Sequence, residues 1–234
     1  MKTYQDLQEG LQDPNIFKAF FLAGGPGSGK SYVVRKTTGG TGLRVVNSDD
    51  AFEHLLKKAN LSLKMPEEEE GAREVQRKRA KKLTKRRMGD VSTGGGGYLE
   101  GRIGLILDGT GKDYGKIAKQ ATELKQLGYD VHMIFVNTSL DTALERNAKR
   151  DRSVPEDIVV QSWNSVQRNI GKFSQLFRTN FVVVDNNDAD EDVLTPVFKQ
   201  IKGLLKKPVR SPIAKEWVTQ EMKRRGITKR PKGF

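Results

Sequence analysis

The sequence predicts a three-layer α/β fold in which helices cover both faces of a mostly parallel, five-stranded sheet. Short apolar runs alternate with helix-length amphipathic segments along the chain, which is the order that parallel sheets with crossover helices produce. A glycine-rich turn separates the first apolar run from the first helical segment. The 234 residues suit one α/β domain with additional segments, and 35% hydrophobic with 30% charged residues is a globular composition.

Five apolar runs of strand length are separated by helical segments. Strands are expected at 17–23, 43–47, 103–108, 131–137 and 181–185. Helices are expected from Lys30 onward, at 51–59, between the third and fourth strands, and at 140–149, 155–168 and 190–205. Residues 66–88 open with proline and four glutamates and end in a basic cluster, which predicts one long exposed helix. The glycines within 92–97 predict a mobile loop.

The composition excludes several functional classes. The chain has no cysteine, which rules out a disulfide scaffold, a thiolate metal site and a cysteine nucleophile. The two histidines, His54 and His132, are too few for a multi-histidine metal centre. No apolar run approaches the roughly 20 residues of a membrane span, and the N-terminus lacks a signal-peptide core, so we expect a soluble, cytoplasmic protein. Phosphoryl transfer requires neither cysteine nor histidine, so this composition does not exclude it.

Positive charge is concentrated in two segments. Residues 71–90 carry a net charge of +7 and residues 199–234 one of +10, whereas the whole chain carries +13, so the rest is slightly acidic. Such segments are typical of proteins that bind phosphate-rich partners, of which nucleic acid is the first candidate and an anionic membrane surface the second. The alternative is a solvated helix face and a basic tail without a partner.

The glycine-rich turn is a phosphate-binding loop. Residues 24–31 match G-x-x-x-x-G-K-[ST] between a predicted strand and a predicted helix, which is the context that the motif requires. Successive backbone N–H groups can point at a polyphosphate there, at the positive end of the helix. Lys30 is predicted to reach the β- and γ-phosphates of a nucleoside triphosphate, and Ser31 to bind Mg²⁺. The residues expected to bind the nucleotide are Gly25, Pro26, Gly27, Ser28, Gly29, Lys30 and Ser31, together with Arg152 further along the chain.

Two carboxylates follow the ends of other predicted strands, at the edge where open α/β sheets bind ligands. Asp108 follows an apolar run directly, as a carboxylate that serves Mg²⁺ would, although it could instead cap the next helix. Asp49 could accept a proton from an attacking hydroxyl. Alternatively, it could only cap the next helix, a role that its neighbour Asp50 could also have.

A cluster of arginines completes the candidate site. Residues 146–152 contain four cations, among them Arg146, Arg150 and Arg152, and a proline-started helix follows. Guanidinium groups that close over a transferred phosphoryl group are a recurrent device for neutralising its charge. Arg146 and Arg150 have the spacing of neighbours on one helical face. The alternative is a solvated, salt-bridged helix end.

Taken in order, these elements resemble the P-loop kinases of the polynucleotide 5′-kinase and zeta-toxin group. The resemblance rests on residues 24–31, 46–50, 107–110 and 145–155, and only the first of these motifs is specific by itself. It implies a kinase that uses ATP and Mg²⁺ to phosphorylate a hydroxyl group. It also implies that Asp49 activates the acceptor hydroxyl and that Arg146 and Arg150 belong to a lid, at about 145–155, over the γ-phosphate.

The domain organisation expected from this resemblance is a P-loop kinase domain over residues 1–206, with an insert at 64–100, and a basic C-terminal extension at 207–234. The acceptor stays open. Polynucleotide kinases usually have an arginine three positions after the activating aspartate, and here that residue is Phe52. Arg44, Lys57 or the basic helix could supply the charge, or the acceptor is not a nucleic acid end.

The two basic segments slightly favour a nucleic acid 5′-hydroxyl as the acceptor. A nucleotide-sugar or a small nucleotide, as on the zeta-toxin side of the resemblance, is the alternative. A nucleic-acid-binding ATPase without an acceptor is the rival from another class.

Overall fold

The computed structural model describes residues 10–64, 66–150, 153–187, 191–231 and 233–234. Within them, five strands form one sheet in the order β2-β3-β1-β4-β5, and every pairing is parallel. The strands are β1 (Lys18–Ala23), β2 (Arg44–Val46), β3 (Leu105–Asp108), β4 (Asp130–Asn137) and β5 (Phe181–Asp185). The predicted α/β class and all five predicted strands are confirmed, with ends that differ by at most two residues.

Helices alternate with the strands and cover both faces of the sheet. Those in the described part of the chain are α1 (Lys30–Thr38), α2 (Asp49–Lys58), α3 (Glu70–Met88), α4 (Gly97–Glu100), α5 (Tyr114–Gln126), α6 (Leu140–Ala148), α7 (Glu156–Phe177), α8 (Glu191–Lys206) and α9 (Pro212–Arg225). None of these helices is both long and apolar enough to cross a bilayer. The predicted end of α7 at residue 168 is wrong, because the buried face of this helix continues to Phe177. The helix ends there, and the next residue, Arg178, has a left-handed φ of 49°.

The central strand β1 organises the core. All six of its residues are buried, and successive side chains point to opposite faces. Phe21 packs with Phe177 of α7 on one face, whereas Phe20 and Leu22 pack with Val33 of α1 on the other. Because the sheet is covered on both faces, its carboxyl edge is the place where loops can surround a ligand.

The predicted long helix is confirmed as α3, which follows a 3₁₀ turn at Glu67–Glu69. It is not exposed on all sides, because Ala80 is buried against Phe52 and Leu56 of α2. The Thr84 hydroxyl of α3 also donates a hydrogen bond to the carbonyl oxygen of Asn47, at the end of β2, at 3.3 Å. These contacts hold the inserted helix beside the carboxyl edge of the sheet.

The glycine-rich segment 92–97 is irregular up to Gly97, where the short helix α4 begins. Gly94 is buried, and its carbonyl oxygen accepts a hydrogen bond of 2.6 Å from Nη1 of the buried Arg102. The expected mobility of this loop stays a prediction.

Segment 207–234 folds onto the sheet rather than away from it. Val209, Ala214 and Val218 are buried in the same core cluster as β1, and the ring of Trp217 meets that of Phe17 edge-on at 5.5 Å. Because Phe17 precedes β1, α9 lies at the amino edge of the sheet. The division into a domain that ends at residue 206 and an extension stays a prediction about domain organisation.

Candidate active site

A cleft of about 850 Å³ opens at the carboxyl edge of the sheet. Its walls come from the phosphate-binding loop, the loops after β2 and β3, the end of α6, the start of α7 and one face of α3. Ser28 is buried within the loop, and Arg152 lies outside the described residues. The other residues proposed from the sequence all line the cleft, namely Gly25, Pro26, Gly27, Gly29, Lys30, Ser31, Asp49, Asp108, Arg146 and Arg150.

Two glycines of the phosphate-binding loop have no room for a side chain. Gly27 and Gly29 have left-handed backbone angles, with φ of +77° and +80°. A Cβ at Gly27 would collide with the carbonyl oxygen of Ala143 in α6, and one at Gly29 with the amide of Asn186. The loop is therefore packed between α6 and the end of β5, which fixes the directions of its N–H groups.

Lys30 lies over the loop at the start of α1. Its Nζ donates hydrogen bonds to the carbonyl oxygens of Gly24, at 2.6 Å, and Gly25, at 3.3 Å. Burial lowers the pKa of Lys30, while the charges of Asp108 and Asp49 oppose this shift. All three groups line the cleft at the carboxyl edge of the sheet.

Asn47 links the two carboxylate positions, and the sequence analysis assigned it no role. Its Nδ2 donates to Oδ2 of Asp108 at 2.8 Å, and its Oδ1 accepts from the backbone N–H of Asp49 at 2.7 Å. Burial raises the pKa of Asp108, while Lys30 opposes this shift. Ser31 is exposed in the same cleft. A polar residue directly after β2 was the signal that could have identified Asn47.

The arginines after β4 approach the loop from the end of α6. The guanidinium of Arg146 donates to the carbonyl oxygens of Asn186, at 2.6 Å, and Asn187, at 2.8 Å, both of which follow β5. Because α6 ends at Ala148, Arg150 follows the helix instead of sharing a helical face with Arg146, which corrects that prediction. Both side chains nevertheless line the cleft.

Two buried asparagines, which the sequence analysis also missed, hold this region together. Asn186 donates from Nδ2 to the carbonyl oxygen of Ser28 at 2.8 Å and so ties the loop to the end of β5. Asn147 donates to the carbonyl oxygen of Val154 at 2.7 Å and accepts from its N–H at 3.1 Å, which ties Val154 to α6. Neither contact follows from spacing in the sequence.

The inserted helix α3 contributes Arg77 and Lys81 to the cleft. The guanidinium carbon of Arg77 lies 4.5 Å from the ring centroid of Phe52, and its Nε lies 3.7 Å from a carboxylate oxygen of Glu74. Arg77 belongs to the basic helix, which was one of the open alternatives, beside Arg44 and Lys57, for the charge that is missing at Phe52.

The first turns of α7 form another wall. The indole N–H of Trp163 donates to the carbonyl oxygen of Thr138 at 2.9 Å, which fixes α7 against the loop after β4. Ile158 is 45% exposed and adds apolar surface. The polar side chains of this wall are Gln161, Ser162 and Ser165. Amide and hydroxyl groups beside an apolar side chain suit an uncharged, hydroxylated part of a ligand.

The fold and the site together define a class of protein. A parallel sheet with a phosphate-binding loop after β1, and with Lys30, Asp49 and Asp108 in one cleft, is typical of P-loop kinases, which are phosphotransferases. The zeta toxin family matches residues 2–195, which is most of the chain. This enzyme belongs to the zeta toxin family.

Solved structures share the fold. A gluconokinase from Sinorhizobium meliloti 1021 is 12% identical with a TM-score of 0.50, and the match covers 88% of this chain and 98% of that one. The AvrRxo1-ORF1:-ORF2 complex with ATP is 17% identical with a TM-score of 0.56, and the match covers 74% of this chain and 56% of that one. At these identities the similarity shows the fold alone. No relative was found among the curated proteins.

Proposed function

We propose that this protein transfers the γ-phosphate of ATP to a hydroxyl group of a small acceptor molecule. The observation that supports it most directly is that Lys30, Asp49 and Asp108 line one cleft, where Asn47 bonds to both carboxylate positions. A carboxylate for the acceptor and a carboxylate for the metal then face one phosphate-binding lysine. ATP as the donor agrees with the class of enzyme, and the similar AvrRxo1 complex was determined with ATP.

In the proposed reaction, the acceptor oxygen forms a bond to the γ-phosphorus while the bond from that phosphorus to the β–γ bridging oxygen breaks, and ADP leaves. Asp49 accepts the proton of the acceptor hydroxyl. Lys30 and the loop N–H groups bind the β- and γ-phosphates. Arg146 and Arg150, assisted by Arg152, neutralise the charge on the transferred group.

Mg²⁺ fits the donors that the cleft offers. Asn47 orients the carboxylate of Asp108, and Ser31 presents its hydroxyl in the same cleft. Mg²⁺ commonly takes one or two protein oxygens and completes its shell with phosphates and waters, and these two side chains match that demand. We therefore propose Ser31 and Asp108 as the groups that would hold the ion. When bound, Mg²⁺ neutralises charge on the β- and γ-phosphates.

The positions of the two basic segments favour a small acceptor, such as a nucleotide-sugar or a small nucleotide. No described residue of 207–234 lines the cleft, and α9 lies at the opposite end of β1, roughly 20 Å away. From segment 71–90, Arg77 and Lys81 line it. A nucleic acid 5′-hydroxyl is the second candidate, supported by the exposed cations along the rest of α3.

A labelling experiment tests the proposal. The protein is incubated with γ-labelled ATP, Mg²⁺ and a panel of nucleotide-sugars, nucleotides and 5′-hydroxyl oligonucleotides. Label on a small acceptor supports the proposal, and label on the oligonucleotide alone supports the second candidate. Label that appears only in free phosphate indicates an ATPase, and the absence of turnover with every acceptor contradicts a kinase of this kind.

The proposed role of Asp49 has a matched control on the same helix turn. Asp49→Asn should lower transfer by at least about 100-fold, because the proton acceptor is lost, while ATP binding survives. Asp50→Asn changes an exposed neighbour that does not line the cleft and should retain transfer. Full transfer by Asp49→Asn would remove Asp49 from the mechanism.

A further inference from the structure

A second cavity, of about 360 Å³, lies at the amino edge of the sheet, at the other end of β1 from the candidate active site. The length of β1 separates the two sites by roughly 20 Å. The walls of the cavity come from the residues before β1, the turn after α1, the end of α8 and segment 207–234. The proposed function uses none of these walls.

The cavity is positively charged. The charged residues among the described ones that line it are all lysines, namely Lys18, Lys202, Lys206 and Lys207. Lys202 and Lys206 are one turn apart on α8, and the ammonium of Lys202 lies 5.1 Å from the ring centroid of Phe198. Within the described part of the chain, neither these two nor Lys207 forms an ion pair. Three of the four positive charges are therefore not neutralised by a described carboxylate.

Lys18 differs from the other three lysines because it is buried. Its side chain is 3% exposed, and its Nζ donates to Oδ2 of Asp130 and to the carbonyl oxygen of Lys207, both at 2.7 Å. An ammonium group has three donors, so one N–H of Lys18 has no acceptor among the described residues. A buried donor without an acceptor is unfavourable, and an anion in the cavity would supply the acceptor.

Apolar groups complete the walls. Ile16 and Val209 are buried in the core cluster on one face of the sheet, whereas the half-buried Leu205 packs against the cluster on the other face. Nδ2 of Asn15 donates to the carbonyl oxygen of Thr41 at 2.5 Å, which joins two of the walls without a ligand. A preformed cavity with apolar walls and a few charged groups is typical of a small-molecule site.

We infer that this cavity binds a small organic anion, with its charged group on the lysines and its apolar body against the buried side chains. At about 30 Å³ per water the cavity has room for about 12 waters, so the ligand has about that many non-hydrogen atoms. Lysines in the last turn of a helix also complement its dipole, but that role explains neither the spare donor of Lys18 nor the apolar walls. The inference does not depend on the proposed function, because the two sites are separate.

Titrations of the full chain in the presence of MgADP, followed by methyl NMR, test the inference. The methyl signals of Ile16, Leu205 and Val209 report on this cavity, so binding in the ATP cleft is not mistaken for binding here. The probes are phenyl phosphate and benzoate, which carry the two common anionic groups on the same ring. Benzyl alcohol is the uncharged control, and inorganic phosphate is the control without an apolar body.

The wild type should bind at least one of the two anionic ring compounds at least about 10-fold more tightly than either control compound. The tighter of the two identifies the anionic group that the site prefers, a phosphate or a carboxylate.

A double variant tests the lysines. Lys202→Gln with Lys206→Gln removes two exposed charges and should weaken binding of the preferred probe at least about 10-fold, because charge-assisted contacts are lost. The matched control is Lys199→Gln with Lys215→Gln, which makes the same change in net charge at exposed residues that do not line the cavity. The control should bind the probe like the wild type, and both double variants should keep their MgADP affinity within about twofold.

Four results would overturn the inference: methyl signals that neither anionic probe shifts, benzyl alcohol that binds as tightly as the preferred probe, inorganic phosphate that does so, or an equal loss of affinity in the two double variants. Failure of the proposed function is distinct, because a protein that transfers no label from ATP would still give the expected titrations at this cavity.

Discussion

His132 is expected to make the protein less stable in mild acid. Its imidazole is buried on β4 and stacks on the ring of Phe20, with centroids 4.6 Å apart. Neither ring nitrogen has a hydrogen-bond partner among the described residues. Burial, together with the positive charges of Lys18 and Lys207, lowers the pKa of His132 from 6.5 to about 3. The folded protein therefore keeps this ring neutral through mildly acidic pH.

The magnitude follows from proton linkage. Below a pH of about 6.5 the unfolded chain binds a proton at His132 that the folded chain does not bind. Above about pH 6.5, His132 therefore does not lower the free energy of unfolding. As the pH falls from there toward about 3, the free energy of unfolding decreases. Each pKa unit corresponds to about 1.4 kcal/mol, so a change from about pH 7.5 to about pH 5 costs about 2 kcal/mol.

Denaturant unfolding at these two pH values measures the effect. His132→Leu keeps the site apolar and removes the titrating ring, so the wild type should lose about 2 kcal/mol more than this variant on acidification. The chain provides its own control, because its other histidine, His54, is exposed on α2 and His54→Gln should behave like the wild type. Equal pH dependence of the wild type and His132→Leu would refute the argument.

Three further predictions concern the loop, the lid and the C-terminal helix. Gly27→Ala should abolish measurable ATP binding in equilibrium titrations, because its Cβ collides with a carbonyl oxygen of α6. Asn147→Ala breaks two hydrogen bonds to Val154 and should lower kcat about tenfold, with a loss of about 1–2 kcal/mol in denaturant unfolding. Val218→Asp buries a charge and should lower unfolding free energy by at least about 3 kcal/mol, whereas Thr219→Asp, at an exposed neighbour, should change it by less than about 0.5 kcal/mol. The first prediction is contradicted if Gly27→Ala binds ATP like the wild type, and the second if Asn147→Ala has an unchanged kcat. The third is contradicted if Val218→Asp and Thr219→Asp lose similar unfolding free energy.

The nucleotide side of the candidate site was more accessible from the sequence than the acceptor side. Residues 24–31 form a contiguous motif, and Asp49 and Asp108 follow apolar runs, so each can be recognised locally. Arg77 is one of nine cations in segment 71–90, and nothing in the sequence distinguishes the ones that line the cleft from the ones that face solvent. Asn186 follows the last strand, and its contact with the loop joins residues that are 158 positions apart.

By itself, the sequence determined the α/β class, the five strands and the phosphate-binding loop, because periodicity and short motifs depend on neighbours along the chain. The tertiary structure alone decided which side of the basic helix α3 borders the cleft. It also decided that Val209, Ala214 and Val218, within the predicted basic extension, are buried in the main core. Both outcomes depend on which helix faces meet distant elements, and burial of that kind is set by long-range packing rather than by local composition.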